Sequence, residues 1–279
     1  MGKILLCCDL DRTVLPNGHY PESPGVREMF ERLVRDDRIV LSYVSGRDKR
    51  LLLQAIDEYQ IPVPDYAIGD VGTTIYQISN NNWTELDSWA THISEDWHGV
   101  TVDEIGGYLR GLNVLTLQEN EKQNRFKLSY YAPADIDVAE LMQSLEGICA
   151  KHTIKASLIW SIDEIRNVGL LDILPASANK LHAIEFLIAE LGMTRSQAVF
   201  AGDSGNDLQV VVSDIPSVLV RNASSEIKRA AGITAHPGGI NDTVYIAKGG
   251  FHGLNGNYSA GVLEGVVHYH PCLEGVIKS

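Results

Sequence analysis

Lys3-Ile4-Leu5-Leu6-Cys7-Cys8-Asp9-Leu10-Asp11-Arg12-Thr13 is the stretch that decides the fold. Residues 3–8 are a short apolar run, the pattern of a strand buried on both faces. Two carboxylates, two positions apart, follow where the run ends. In an open parallel α/β sheet the carboxyl ends of the strands form the ligand crevice. Side chains two apart on an extended chain can project into the same space. One such aspartate can attack phosphorus while the other handles a proton.

Outward from this strand the pattern alternates. Pro24 opens a helical stretch with Val26, Met29, Phe30, Leu33 and Val34 on one face. Residues 39–44 read as a second buried strand, and 48–59 as a helix ended by Pro62 and Pro64. Strands and helices alternating at this length predict an α/β core, a doubly wound parallel sheet of Rossmann-like type with right-handed crossovers. Between 81 and 174 the alternation is lost. Asn80-Asn81-Asn82, Trp83, Trp89 and Trp97 precede separated strand-like runs at 114–118, 126–131 and 156–160, with a helix over 138–150. This region is expected to be an inserted α+β domain, leaving 1–80 and 175–279 as the core. The alternation resumes at Leu171-Asp172-Ile173-Leu174-Pro175. A helix with Leu181, Ile184, Leu187, Ile188 and Leu191 follows, stopped by Gly192. Strands at 198–201 and 217–220 and helices at 206–213, 224–231 and 260–269 complete the core. The Gly-rich segment 249–261 follows no clear strand and reads as a surface loop.

Composition narrows the function. In 279 residues, 44% hydrophobic and 21% charged, no apolar run approaches the ~18 residues that cross a bilayer. Residues 1–8 are too short for a signal peptide, so the cytoplasm is expected. Cys7, Cys8, Cys149 and Cys272 have neither metal-site nor disulfide-framework spacing and read as reduced thiols. With 23 Lys+Arg against 36 Asp+Glu the net charge is −13, which argues against nucleic acid and anionic membrane as partners. An anionic substrate then requires a site with its own cations.

Three further segments supply chemistry. Ser45-Gly46-Arg47 ends the second strand, where a hydroxyl and backbone N–H groups can hold phosphate oxygens. Lys180 starts the helix after the insert, against the helix dipole, which suggests that it binds an anion. Gly202-Asp203-Ser204-Gly205-Asn206-Asp207 places two carboxylates four apart in a turn at another strand's end. Mg²⁺ favours one or two carboxylates with substrate phosphate and water. The spacing excludes an EF-hand, and no Gly-Lys-Ser/Thr occurs to make a P-loop.

Taken in order, D-x-D-x-T, a strand-ending Ser, a helix-starting Lys and G-D-x-x-N-D resemble the four motifs of haloacid-dehalogenase-type phosphatases. The resemblance implies Asp9 as nucleophile and Asp11 as general acid, then base. It implies Ser45, Gly46 and Lys180 at the phosphoryl group, and Mg²⁺ at Asp9, the Asp11 carbonyl and Asp203, with Asp207 adjacent. Nearly the whole chain is similar to the sucrose-phosphate and mannosylfructose-phosphate phosphatases. The matching segments are Pro64-Asp65-Tyr66, Val71-Gly72-Thr73, Lys127-Leu128-Ser129-Tyr130, Asp172 to Pro175 with Asn179-Lys180, the 202–207 turn, Val220-Arg221-Asn222-Ala223 and Gly261-Val262-Leu263-Glu264. In those enzymes the insert is a cap closing over the sugar. Sugar contacts are therefore expected from Gln118, Glu119 and Lys127 in the insert and from Arg47 and Asn206 in the core. Three departures stand out. Leu181 follows the lysine in place of glycine, Arg12 replaces a smaller residue, and 119–123 matches poorly. The first two leave the chemistry intact; the third bears on the identity of the sugar.

The expected activity is hydrolysis of a small sugar phosphate, sucrose 6-phosphate first and mannosylfructose phosphate second. A sugar-phosphate synthase is the expected transient protein partner. Rival readings are a phosphomutase of the same superfamily and an inert sugar-phosphate-binding partner of a synthase. A metal site at His268 and His270 is disfavoured, because residues two apart on a helix do not share a face.

Overall fold

The computed structural model describes residues 2–163, 166–233 and 243–278. The chain opens with β1 (Ile4–Asp9), α1 (Val26–Val34), β2 (Ile39–Val44), α2 (Lys49–Tyr59), β3 (Tyr66–Gly69), β4 (Thr74–Ser79) and β5 (Asn82–Glu85). It continues with α3 (Asp87–Ser94), α4 (Val102–Tyr108), β6 (Thr116–Leu117), β7 (Leu128–Pro133), α5 (Val138–Lys151), β8 (Ala156–Asp163) and β9 (Val168–Pro175). Then come α6 (Lys180–Glu190), β10 (Ala198–Gly202), α7 (Leu208–Val211), β11 (Ser217–Leu219), α8 (Ser225–Ile233), β12 (Val244–Ile246), α9 (Ser259–Tyr269) and α10 (Glu274–Lys278). None of the described helices is long and apolar enough to cross a membrane.

By contacts the chain divides into Met1–Glu85 with Lys180–Ser279, and Leu86–Asn179. The first unit is built on an eight-stranded sheet of order β12-β11-β10-β1-β2-β3-β4-β5. The strands from β12 to β3 are parallel, and β4 and β5 add an antiparallel edge. Every residue of β1, β2 and β10 is buried, so both sheet faces are covered there. One helix group is α1 with α9 and α10; another is α6, α7 and α8. Strand order runs outward from β1 in both directions. The switch in winding therefore lies between β1 and β10, where α/β sheets bind ligands.

Local chemistry explains several element ends. Asp48 caps α2 by accepting the Leu51 N–H at 2.8 Å. Asn80 and Asn81, at φ 50° and 61°, turn β4 back into β5. The Asn-rich segment is thus a hairpin of the large sheet, and the unit boundary falls after Glu85.

The second unit is an antiparallel sheet of order β6-β7-β9-β8 with α3, α4 and α5 in the same unit. Trp89, Trp97, Leu145, Leu171 and Ile173 are buried in its core. A side chain on Gly169 would meet the Trp160 ring at 2.1 Å, so β9 carries glycine where the indole lies across it. The run 171–175, taken from the sequence as the return of core alternation, is instead the last part of β9, an inner strand of this second sheet. An apolar run has the same signature in either sheet, and only pairing with β7 and β8 assigns it. Two smaller expectations also change. The strand expected at 114–118 is reduced to β6, and the helix at 206–213 is a 3-10 turn at Gly205–Asp207 followed by α7. The Gly-rich segment does follow a strand, the three-residue β12.

Candidate active site

β1 and β10 lie side by side, with Cys8 opposite Ala201, so the carboxylates at and just beyond their ends converge. Asp9, Asp203 and Asp207 are all buried and offer ligand oxygens within 4.8 Å of one another. Asp207 is fixed first. Its Oδ2 accepts the backbone N–H groups of Asp203 (3.1 Å) and Ser204 (3.2 Å), so the turn folds around its own carboxylate. A Cβ on Gly202 would fall 2.5 Å from that oxygen, which is why glycine precedes Asp203.

Lys180, the first residue of α6, is buried rather than solvated. Its Nζ donates to Asp9 Oδ1 at 2.8 Å and to Asp207 Oδ1 at 2.7 Å. Burial disfavours its charge, but the two carboxylates outweigh burial and raise its pKa. The carboxyl of Asp9 is pushed up to about 7: burial raises it, Lys180 lowers it, and Asp207 and Asp203 raise it again. Its Oδ2 has the Thr13 hydroxyl at 3.5 Å.

Asp11 is held differently. Arg47 grips it with two bonds, Nε to Oδ2 at 2.9 Å and Nη2 to Oδ1 at 2.6 Å, and Asn17 Nδ2 adds a third at 2.6 Å. Burial raises its pKa, but these donors prevail and keep the carboxyl below the usual range. Ser45 is buried, with its hydroxyl accepting the Arg47 N–H at 3.2 Å. Gly46 has open space around it, the nearest atom to an added Cβ being Val71 Cγ2 at 4.0 Å. Asn206 is exposed and its amide oxygen accepts the Ser204 hydroxyl.

Four carboxylates (Asp9, Asp11, Asp203, Asp207) thus meet three cations (Lys180, Arg47, Arg12). Among the described residues, Asp203 Oδ1 is buried without a hydrogen-bond partner. Unpaired buried carboxylate oxygen is costly. An oxygen-seeking cation fits both the surplus of negative charge and this free oxygen.

The candidates in the second unit sit on one sheet region. Gln118 is buried, donating from Nε2 to the Tyr130 carbonyl at 2.9 Å, and its backbone N–H reaches the Ser129 carbonyl. Glu119 is exposed and accepts the Tyr131 hydroxyl at 2.8 Å. Lys127 is buried one residue before β7, in a tight turn with Asn124. The hydroxyl of Ser129, two residues on, bonds to Asp172.

Sequence reasoning did not single out Asn17, which bonds Asp11, or assign Arg12 and Asn222 a role. The signal for Asn17 was its turn dipeptide Asn17-Gly18, and Asn222 stood in a segment matching the family. Arg12 was visible only as a departure.

Residues 2–270 match the sucrose-6F-phosphate phosphohydrolase family. The chain belongs to it. A HAD-like hydrolase of Nitrosococcus oceani is 52% identical over 269 residues, covering 96% of this chain and 72% of that protein. The mannosylfructose-phosphate phosphatase of Agrobacterium fabrum is 32% identical over 226 residues, 80% of this chain and 85% of that one. The sucrose-phosphatase of Synechocystis sp., whose crystal structure holds sucrose and phosphate, superposes with a TM-score of 0.69 at 25% identity over 97% of this chain and 99% of that one. This protein is therefore a sugar phosphatase of the haloacid-dehalogenase type, a phosphoric monoester hydrolase.

Proposed function

We propose that the enzyme is a Mg²⁺-dependent phosphatase that hydrolyses sucrose 6-phosphate to sucrose and phosphate through an aspartyl-phosphate on Asp9. The observation that carries this reading is Lys180, buried between Asp9 and Asp207 beside the unpartnered oxygen of Asp203. Mg²⁺ would be held by Asp9, Asp203 and the Asp11 carbonyl, with Asp207 adjacent, and would supply positive charge to the phosphoryl oxygens. Asp9 attacks phosphorus through the oxygen that Lys180 does not hold. Lys180, the Ser45 hydroxyl and the Gly46 N–H hold the transferring group.

Asp11 must first give a proton to the leaving sugar oxygen and then take one from water. As folded it is latched to Arg47 and held ionised, the state that suits the second task. In this reading Arg47 leaves Asp11 when substrate enters, turning its guanidinium to the substrate and letting Asp11 carry the proton. The unit Leu86–Asn179 is the proposed cap, and Gln118, Glu119, Lys127 and Asn206 are the proposed sugar-binding residues.

The family description and the sucrose-bound relative support sucrose 6-phosphate. The higher identity of the mannosylfructose-phosphate enzyme, 32% against 25%, supports that substrate as the second reading. An inert partner of a synthase is disfavoured, because buried carboxylates grouped around a lysine are costly to keep without a task. Inorganic phosphate release, screened over sucrose 6-phosphate, mannosylfructose phosphate, glucosylglycerol phosphate and hexose 6-phosphates, tests the reading. Turnover of hexose 6-phosphates alone would overturn it.

A further inference from the structure

We propose that Arg12 is a positioning residue for the cation: by holding one oxygen of Asp203, it turns the other toward the carboxylate cluster. Arg12 Nε lies 3.1 Å from Asp203 Oδ2. The second oxygen, Oδ1, is buried and has no hydrogen-bond partner among the described residues. The two oxygens of one carboxylate are therefore divided, one engaged from the solvent side and one left for a ligand. Asp207, by contrast, is fixed by backbone N–H groups and by Lys180.

The backbone of Arg12 is built for this task. It sits at φ 58°, a left-handed conformation that favours glycine or asparagine over a long side chain. Its N–H donates to Asn17 Oδ1 at 2.8 Å, and its carbonyl accepts from Asn222 Nδ2 at 2.6 Å. Asn222 is itself pinned, its Oδ1 accepting the Tyr258 N–H at 2.8 Å. Asparagines on both sides thus hold an unfavourable conformation, and the side chain it projects meets Asp203.

Two effects oppose each other. Groups that orient a ligating carboxylate change metal affinity by roughly 10–100-fold. A guanidinium also repels a dication, but the Arg12 side chain is 54% exposed, and solvent and salt screen its charge. Its charge is further offset by Asp203 itself. Orientation outweighs repulsion.

The inference rests on the metal reading above, and Mg²⁺ titration separates the two. Binding is read by isothermal calorimetry and by the Mg²⁺-induced shift in melting temperature, on full-length wild type, Arg12→Ala and Arg12→Gln. Both variants keep a Cβ at the left-handed position, so backbone strain is unchanged. Arg12→Ala is expected to bind Mg²⁺ roughly tenfold or more weakly, with a metal-free melting temperature near wild type. Arg12→Gln, which keeps a donor without charge, is expected to fall between them. Equal or tighter Mg²⁺ binding in Arg12→Ala overturns the inference, tighter binding in both variants marking Arg12 as a competitor for Asp203. A wild type that shows no Mg²⁺ binding overturns the metal reading instead.

Discussion

The ammonium of Lys180 meets the carboxylate of Asp9 at 2.8 Å, with each side chain only 7% exposed. A lysine that merely began a helix would point to water. This one is taken from water, with the cost offset by Asp9 and Asp207. Lys180→Ala should therefore lower kcat by roughly 10²–10³, the effect of removing one donor to developing charge. It should also lower the melting temperature by several degrees, since breaking a buried pair costs about 3–5 kcal/mol. A change in kcat/KM below threefold would remove Lys180 from the chemistry.

Asp9→Asn should abolish turnover while leaving the fold intact, because an amide is a poor nucleophile. A crystal grown with fluoroberyllate should show the phosphate mimic against Asp9 of the wild type. Density joining it to any other side chain would refute the nucleophile assignment.

Activity should require Mg²⁺ and disappear in a chelator, and Asp203→Asn should weaken the requirement's titration midpoint. Ca²⁺ should inhibit, since it takes 6–8 oxygens at longer range and would draw Asp9 out of line for attack. Full activity in chelator would contradict the metal assignment.

Lys127→Ala should raise KM for the disaccharide phosphate and leave p-nitrophenyl phosphate hydrolysis nearly unchanged, because the latter has no second sugar. Lys127 is buried beside β7, so the melting temperature is measured in parallel. Equal losses on both substrates would assign it a structural or catalytic task.

Burial pushes the Cys7 thiol up to about 12 and raises those of Cys8 and Cys149, while Cys272 is exposed. A thiol at about 12 is roughly 10⁻⁴ thiolate at pH 8, and the thiolate is the reactive form. A thiol reagent at pH 8 should label Cys272 rapidly in native protein and the others only after denaturation. Rapid native labelling of Cys7 or Cys8, located by peptide mass, would disprove the packing of β1.

The parts of the molecule whose signals are local were legible in the amino-acid order. An apolar run ending in Asp9 and Asp11, a helix opening at Lys180 and a turn ending in Asp207 each carry their own pattern. Strand and helix termini converge in this kind of sheet, so those three patterns already implied a common crevice. Tertiary structure decided what depends on pairing between distant segments. The run at 171–175 joined the second sheet because β7 and β8 flank it, and no feature of an apolar run states its neighbours. Arg47 on Asp11 and Arg12 on Asp203 are contacts across 36 and 191 positions, set by which strand ends stand side by side. Asn222 reaches the Arg12 carbonyl across 210 residues. A charge in a sequence names what it can pair with; only the folded chain, by fixing distance and excluding water, chooses the partner.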